Sequence, residues 1–346
     1  FTCRYKPLHI MVPCFLLSLL LLPSFYSSDL PSGFHLDIDG ISIAPSNSYL
    51  CALERRPGVP VGGKVQCWGD ESTPQVSDVP SDSVFVQVVT STYFACGVLL
   101  DQRVSCWGER SGGKVKGLFS QISAGSSYAC GVLTDGHITC WGKGYARHSL
   151  NDDARFVQVS CGNSHCCGLD DEGLVHCWGS RVSSITETPK VKVKNDDGDL
   201  INAETRDVVD PDELEDFQKD AFFVTEDVQF KQISVGDEMS CGIQLLDGDI
   251  RCWGNLRSHK LSDSLLKGPY RQVSVGWSGL CGILESNNKL NCYGRAAIRV
   301  GDQADSYEWD QVRVGKYNVC GVTMDSQLKC FGISEYSAIS NDFVVA

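Results

Sequence analysis

Cysteine is the residue with the most chemistry to offer here, with 18 in a chain of 346 residues. A thiolate can ligate zinc, attack a carbonyl or be oxidised to a disulfide, and spacing separates these fates. The close Cys-x-x-Cys pairs that mark zinc sites are missing. Fourteen cysteines fall instead into seven pairs: Cys51 with Cys67, Cys96 with Cys106, Cys130 with Cys140, Cys167 with Cys177, Cys241 with Cys252, Cys281 with Cys292, and Cys320 with Cys330. Six pairs are 10 or 11 residues apart; the first is wider because Arg55 to Gly63, rich in Gly and Pro, lengthens its loop. Disulfides in an oxidising compartment are the reading. Cys161 and Cys166 fall outside this pattern: either they bridge each other across the Gly162-Asn163-Ser164-His165 turn, or one stays a buried thiol. Cys161 beside His165 has the ingredients of a nucleophile dyad, but loop neighbours rarely hold its geometry.

The other reactive side chains form no recognisable site. There is no Gly-x-Ser-x-Gly elbow, His-Glu-x-x-His zinc helix or phosphate loop. Asn195-Asp196-Asp197-Gly198-Asp199 is rich in carboxylates but lacks the spacing of a helix-loop-helix calcium site. His137 and His176 fall on hairpin return strands and read as surface residues. The sequence predicts no catalytic, metal or cofactor-binding residue and no cofactor. Scattered carboxylates that pair in space as acid and base leave a secreted hydrolase as a lesser alternative.

These residues need elements to position them, and one unit recurs seven times. Its clearest copy runs from Gln121 to Gly142. A glycine follows the first cysteine in six units, with Ala52 in the other; Trp-Gly follows the second in five, replaced by Tyr293-Gly294 and Phe331-Gly332. Five residues before the first cysteine stands Gly125, Gly162, Gly236, Gly276 or Gly315, with Ser46 and Ser91 in the first two units. Asp135-Gly136 and Asp247-Gly248 are tight-turn signals, and the flanking segments alternate and favour strands. Counting outward from a turn centred on Asp135 sets Cys130 opposite Cys140, within bridging reach. Each such bridge stabilises by roughly 2–3 kcal/mol on the loop-entropy view. The aromatic after the second cysteine points to the other face of the strand.

Charge and the N-terminus supply the setting. The formal charge is −13, which disfavours nucleic acid as a partner. Residues 195–227 hold thirteen acidic side chains against Arg206 and Lys219, so the acidity belongs to one segment. Arg4, Lys6 and His9 precede an apolar stretch, Ile10 to Leu22, ended by Pro23, which suits a signal peptide over residues 1–28 containing Cys3 and Cys14. Residue 1 is Phe, so the chain reads as a fragment or as starting at Met11. First cysteines Cys167 and Cys241 stand 74 residues apart, about twice the usual interval. That gap reads as an acidic insertion over about 181–228 in preference to an eighth, degenerate blade turning at Asp197-Gly198. Asp210-Pro211-x-Glu213 is a helix start.

The Gly, Cys-Gly and Cys-Trp-Gly landmarks resemble the regulator-of-chromosome-condensation repeat family, and the paired cysteines resemble the variant in ectodomains of Crinkly-type plant receptor kinases. The resemblance covers about residues 36–346. It implies an all-β, seven-bladed β-propeller over residues 29–346 with one hairpin disulfide per blade and aromatics packed between blades. The expectation for function is a secreted, non-catalytic interaction module taking a protein or glycan ligand at the acidic insert, and a monomer. A fragment of a membrane-tethered receptor-kinase ectodomain is the alternative. The founder's GTPase partner is not expected, because a signal peptide, disulfides and acidic balance oppose that role.

Overall fold

The computed structural model describes residues 43–332 apart from 47–48, 56–61, 110–114, 144–153, 180–191, 195–199, 203–222, 225–227, 257–260, 262–264 and 278. Each repeat becomes one antiparallel blade with an inner, a middle and an outer strand. Blade one is Ile43–Pro45, Tyr49–Arg55 and Gly63–Gly69. Blade two is Phe85–Thr90, Phe94–Leu99 and Val104–Gly108. Blade three is Phe119–Ala124, Tyr128–Leu133 and Ile138–Gly142. Blade four is Phe156–Cys161, His165–Asp170 and Val175–Gly179. Blade five is Phe230–Val235, Met239–Gln244 and Ile250–Gly254. Blade six is Tyr270–Val275, Gly279–Leu284 and Leu290–Gly294. Blade seven is Trp309–Val314, Asn318–Thr323 and Leu328–Gly332.

In every blade the first cysteine on the middle strand is the ladder partner of the second on the outer strand, as with Cys130 and Cys140. Disulfides join Cys51 to Cys67, Cys96 to Cys106, Cys130 to Cys140 and Cys167 to Cys177. Three more join Cys241 to Cys252, Cys281 to Cys292 and Cys320 to Cys330. An eighth joins Cys161 to Cys166, the last residue of blade four's inner strand to the second of its middle strand. The middle-strand partner is fully buried in all seven hairpin bridges. On the outer strand, Cys67, Cys106, Cys140, Cys292 and Cys330 are only half-buried, while Cys177 and Cys252 are buried.

The recurrent landmarks now have causes. A Cβ on Gly242, the residue after Cys241, would lie 2.4 Å from the Phe230 ring of the same blade. Six blades stack such an aromatic over that glycine; the blade-one sequence has Gly40 in the aromatic's place and accepts Ala52. The glycine after each outer-strand aromatic has positive φ, for example +100° at Gly142, which a side chain would strain. Gly162 marks a close approach: a Cβ there would meet the Gly236 carbonyl oxygen of the next blade at 1.7 Å.

Seven apolar clusters hold the blades, and each spans a junction. The cysteine face of blade three (Cys130, Val132, Ile138) packs on Phe156, Val159 and Trp178 of blade four. The same happens at each successive seam. The last returns to the start, with Cys320, Val322 and Leu328 of blade seven against Ile43, Leu50, Ala52 and Trp68 of blade one. The aromatic after the second cysteine thus lies between blades, opposite its disulfide. The chain is a seven-bladed β-propeller.

Polar stitches reinforce the seams. The Gln121 amide reads the backbone of the next inner strand, donating from Nε2 to Val159 O at 3.0 Å and accepting from Val159 N–H at 2.8 Å. Gln87 and Gln158 do the same to Ile122 and Ile233, and Gln232 and Gln272 accept from Val273 and Val312. Two residues on, the Ser123, Ser160, Ser234 and Ser274 hydroxyls each accept a backbone N–H from the next blade. Hairpin-turn carbonyls at Gln102, Gly136, Gly173, Gly248 and Asn288 accept from the first aromatic of the following blade. Buried backbone groups facing a neighbouring blade are thereby paired.

Two blades have a fourth strand: Phe223–Val224 pairs with His176 and Cys177, and Leu265–Leu266 pairs with Ile250 and Arg251. These added strands are why the outer cysteines of blades four and five are the buried ones. The first also corrects an expectation. His176 is not a surface residue, because the added strand covers its own and leaves it buried against Asp170. Lys192–Lys194 pairs with Leu200–Asn202 as a separate two-stranded sheet, while the Asp197-Gly198 turn expected between them lies outside the described residues. The predicted leader over 1–28 and the helix start at Asp210 lie outside the described residues, as do most of 181–228.

Candidate binding face

The turn from inner to middle strand has the same frame in all seven blades. The backbone N–H of Ser46, Ser91, Gly125, Gly162, Gly236, Gly276 or Gly315 donates to the carbonyl three residues on, at 2.8–2.9 Å. That bond fixes the turn through backbone alone, so the two residues between can vary. They differ from blade to blade: Thr92-Tyr93, Ser126-Ser127, Asn163-Ser164, Asp237-Glu238, then Trp277, then Lys316-Tyr317. A constant frame displaying variable side chains is how scaffolds carry recognition.

Blades six and seven make the most distinctive part of this face. Trp277 is 39% exposed, and its ring lies 6.3 Å from that of Tyr317, centroid to centroid, tilted by 59°. The Lys316 ammonium lies 5.0 Å from the first ring centroid and 5.1 Å from the second, a cation–π arrangement. Outer strand six then enters the helix Arg295–Val300, whose Ala296 abuts Gly279 at the same end of the sheet. Nη1 of Arg299 is buried without a hydrogen-bond partner among the described residues. Burial and Arg295 hold its pKa below the ordinary arginine value, while Tyr317 acts the opposite way. Among the described residues, no carboxylate pairs with Arg295, Arg299 or Lys316 within salt-bridge distance.

The channel between the inner strands is a second candidate. It encloses about 160 Å³ and receives lining residues from all seven blades. Arg313 is the single charged lining residue, in the place of the stitching serine, and it donates to Val312 O at 3.0 Å. The Gln121 and Gln158 amides beside it are consumed by the neighbouring strands.

The side chains weighed for chemistry are spent structurally. Cys161 is in a disulfide, and its supposed partner His165 turns to blade five, Nε2 lying 2.9 Å from Ser240 Oγ. Burial lowers the His165 pKa to about 4. The sulfurs of Cys130, Cys161 and Cys166 gather within 4.8 Å; they belong to two touching disulfides, with Cys130 and Cys166 Sγ 3.6 Å apart. His176 Nε2 lies 2.7 Å from Asp170 Oδ2, whose other oxygen accepts from Leu174 N–H at 2.7 Å and closes the hairpin turn. His137 stays half-exposed beside Asp135. Trp277, Arg299, Lys316 and Tyr317 escape a reading of the sequence. One signal was available: Trp277 stands where the other units have Asn, Thr, Ser, Asp or Lys, all polar.

A model of the regulator of chromosome condensation (RCC1) repeat matches residues 119–146 and 156–180. The match falls on blades three and four. The other five blades reproduce the same Gly, Cys-Gly or Cys-Ala, and Cys-aromatic-Gly landmarks. Among solved structures, the Crinkly WD40 ectodomain of the Arabidopsis thaliana receptor kinase ACR4 is 22% identical, with a TM-score of 0.62 over 84% of this chain and 95% of that one. The entire ectodomain of the Physcomitrella patens receptor kinase CR4 is 21% identical, with a TM-score of 0.59 over 84% of this chain and 72% of that one. Both likenesses are of the fold.

Proposed function

We propose that the chain is an extracellular, non-catalytic binding module that presents a variable face on a rigid RCC1-type ring to a protein or glycan ligand. One observation carries this reading: seven turns share one closing hydrogen bond, and the described residues between its donor and acceptor differ from blade to blade. Side chains with catalytic potential are engaged in disulfides, seams and turn closure. Eight disulfides among the described residues favour an oxidising compartment. No described helix is long and apolar enough to cross a membrane.

The test is expression with the native N-terminus in eukaryotic cells, followed by disulfide mapping and crosslinking capture from extracellular fluid. Recovery from the medium with all eight bridges, and a captured ligand lost on mutation of the turn face, is expected. Retention in the cytosol with free thiols would overturn the proposal. A second reading, an ectodomain of a receptor-like kinase, is favoured by the fold shared with two such ectodomains. A transcript continuing past Ala346 into a membrane span tests it.

A further inference from the structure

We infer that the patch formed by Trp277, Lys316, Tyr317, Arg295 and Arg299 is a binding site for an acidic saccharide, a chain of sugar rings carrying carboxylates. This rests on the binding-module reading and names its ligand class. The chain carries a charge of −13, so three cations with no carboxylate in salt-bridge distance among the described residues are a local reversal of its balance. Arg299 is the strongest pointer. A guanidinium nitrogen withdrawn from water and left without a described partner is a costly arrangement that a bound anion would relieve. Its planar fork suits a carboxylate, and Arg295 one turn earlier on the helix adds a second positive charge.

The aromatic pair decides what kind of molecule bears the anion. Exposed Trp277 and half-buried Tyr317 offer flat apolar faces on neighbouring turns. The turns of blades four and three are polar, Asn163-Ser164 and Ser126-Ser127, while the acidic Asp237-Glu238 turn of blade five confines the cationic patch to blades six and seven. A sugar ring has matching chemistry, with C–H faces that stack on an aromatic and hydroxyls that bond to polar turns. A peptide bound through its backbone as an added strand would need an open strand edge. These turns are closed by their own backbone hydrogen bonds and provide no free edge.

The test is titration calorimetry on the full secreted protein, with oligogalacturonide as probe and a neutral cello-oligosaccharide as control. Binding of the acidic probe, weakened at least tenfold by Trp277→Ala and by Arg299→Gln and weakened by added salt, is expected. Thermal unfolding of both variants checks that they fold, and Arg299→Lys, which keeps charge but loses the fork, should recover only part of the affinity. Equal affinity for the neutral sugar, or unchanged binding by the folded variants, would overturn the inference. So would preference for a tyrosine-sulfated peptide or a sulfated saccharide over the uronate. If the protein captures an extracellular ligand that neither variant affects, this inference fails while the binding-module reading stands.

Discussion

Adding one methyl at Gly162 tests how tightly the blades are set. The Cβ would lie 1.7 Å from the Gly236 carbonyl oxygen, where ordinary contact begins near 3.4 Å. Both atoms are on backbone held by ladders, so no side chain can swing aside; the blades must part by roughly 1.5 Å to restore van der Waals distance. That movement carries three hydrogen bonds beyond reach. They are Gln158 Nε2–H to Ile233 O at 3.0 Å, Ile233 N–H to Gln158 Oε1 at 2.9 Å and Val235 N–H to Ser160 Oγ at 3.0 Å. At about 1 kcal/mol for each bond, with about 1–3 kcal/mol for overpacking, Gly162→Ala should lose roughly 4 kcal/mol or more. Urea unfolding with disulfides intact, followed by tryptophan fluorescence, measures it through the midpoint. Gly301→Ala is the control, because nothing lies within 4 Å of its Cβ and only its backbone, at φ +53° and ψ −159°, opposes it, a cost of about 1–3 kcal/mol. A Gly162 variant no less stable than the Gly301 variant would refute the close-set seam.

Gln121→Met should cost about 2–4 kcal/mol in the same assay, since it removes both bonds to Val159 and orphans a buried N–H; Ser123→Ala, with one bond to Cys161 N–H, should cost less. His165 gives stability a pH dependence: an unfolded histidine takes a proton near 6.5, while the folded one resists until about 4. Stability should therefore be full above pH 6.5 and fall by up to about 3 kcal/mol as pH drops to 4; urea midpoints across that window should show the slope, and His165→Gln should flatten it. Ser326 holds φ of +65° in the blade-seven hairpin turn, so Ser326→Gly should raise stability by about 1 kcal/mol in thermal unfolding. Deleting 195–222, which spares the Phe223–Val224 strand of blade four, should leave the unfolding midpoint within the error of the full chain; a collapse of folding would make that segment part of the ring.

The sequence announces what repeats and hides what varies. Cys130 and Cys140 can be set opposite each other by counting from Asp135, because strand side chains alternate and turn length fixes register. The repeat's glutamines were visible as a run, but their role was not. A Gln amide spanning to Val159 depends on how far apart two inner strands lie, which spacing within one strand does not encode. His176 misled for a related reason: its strand reads as an edge until Phe223–Val224, far along the chain, covers it. The binding face was hidden for a third reason. Trp277 and Lys316 stand in different repeats, and only the packing of blade six on blade seven brings their turns side by side.

The irregular repeats are consecutive around the ring. Blades three to six have the stitching serine, whereas blades seven, one and two have Arg313, Ala44 and Val89 at that ladder position. Blades one and two also have Ser46 and Ser91 where the others have close-approach glycine. Their hydroxyls repair the seam in another way: Ser46 Oγ–H donates to Ser91 O at 2.7 Å and Ser91 Oγ–H to Ser126 O at 2.8 Å. Tyr49 adds bonds to Ser91 O and Phe94 O across the same junction. Among the described residues no disulfide crosses a seam, so the ring closes between blades seven and one through packing of Ile43, Leu50 and Trp68 on Val322 and Leu328. Covalent strength thus sits within blades, and the relaxed stretch of the repeat runs through the place where the first and last blades must meet. The aromatic and basic side chains of blades six and seven border that stretch, where the repeat's rules already bend and a ligand-shaped departure would cost the fold least.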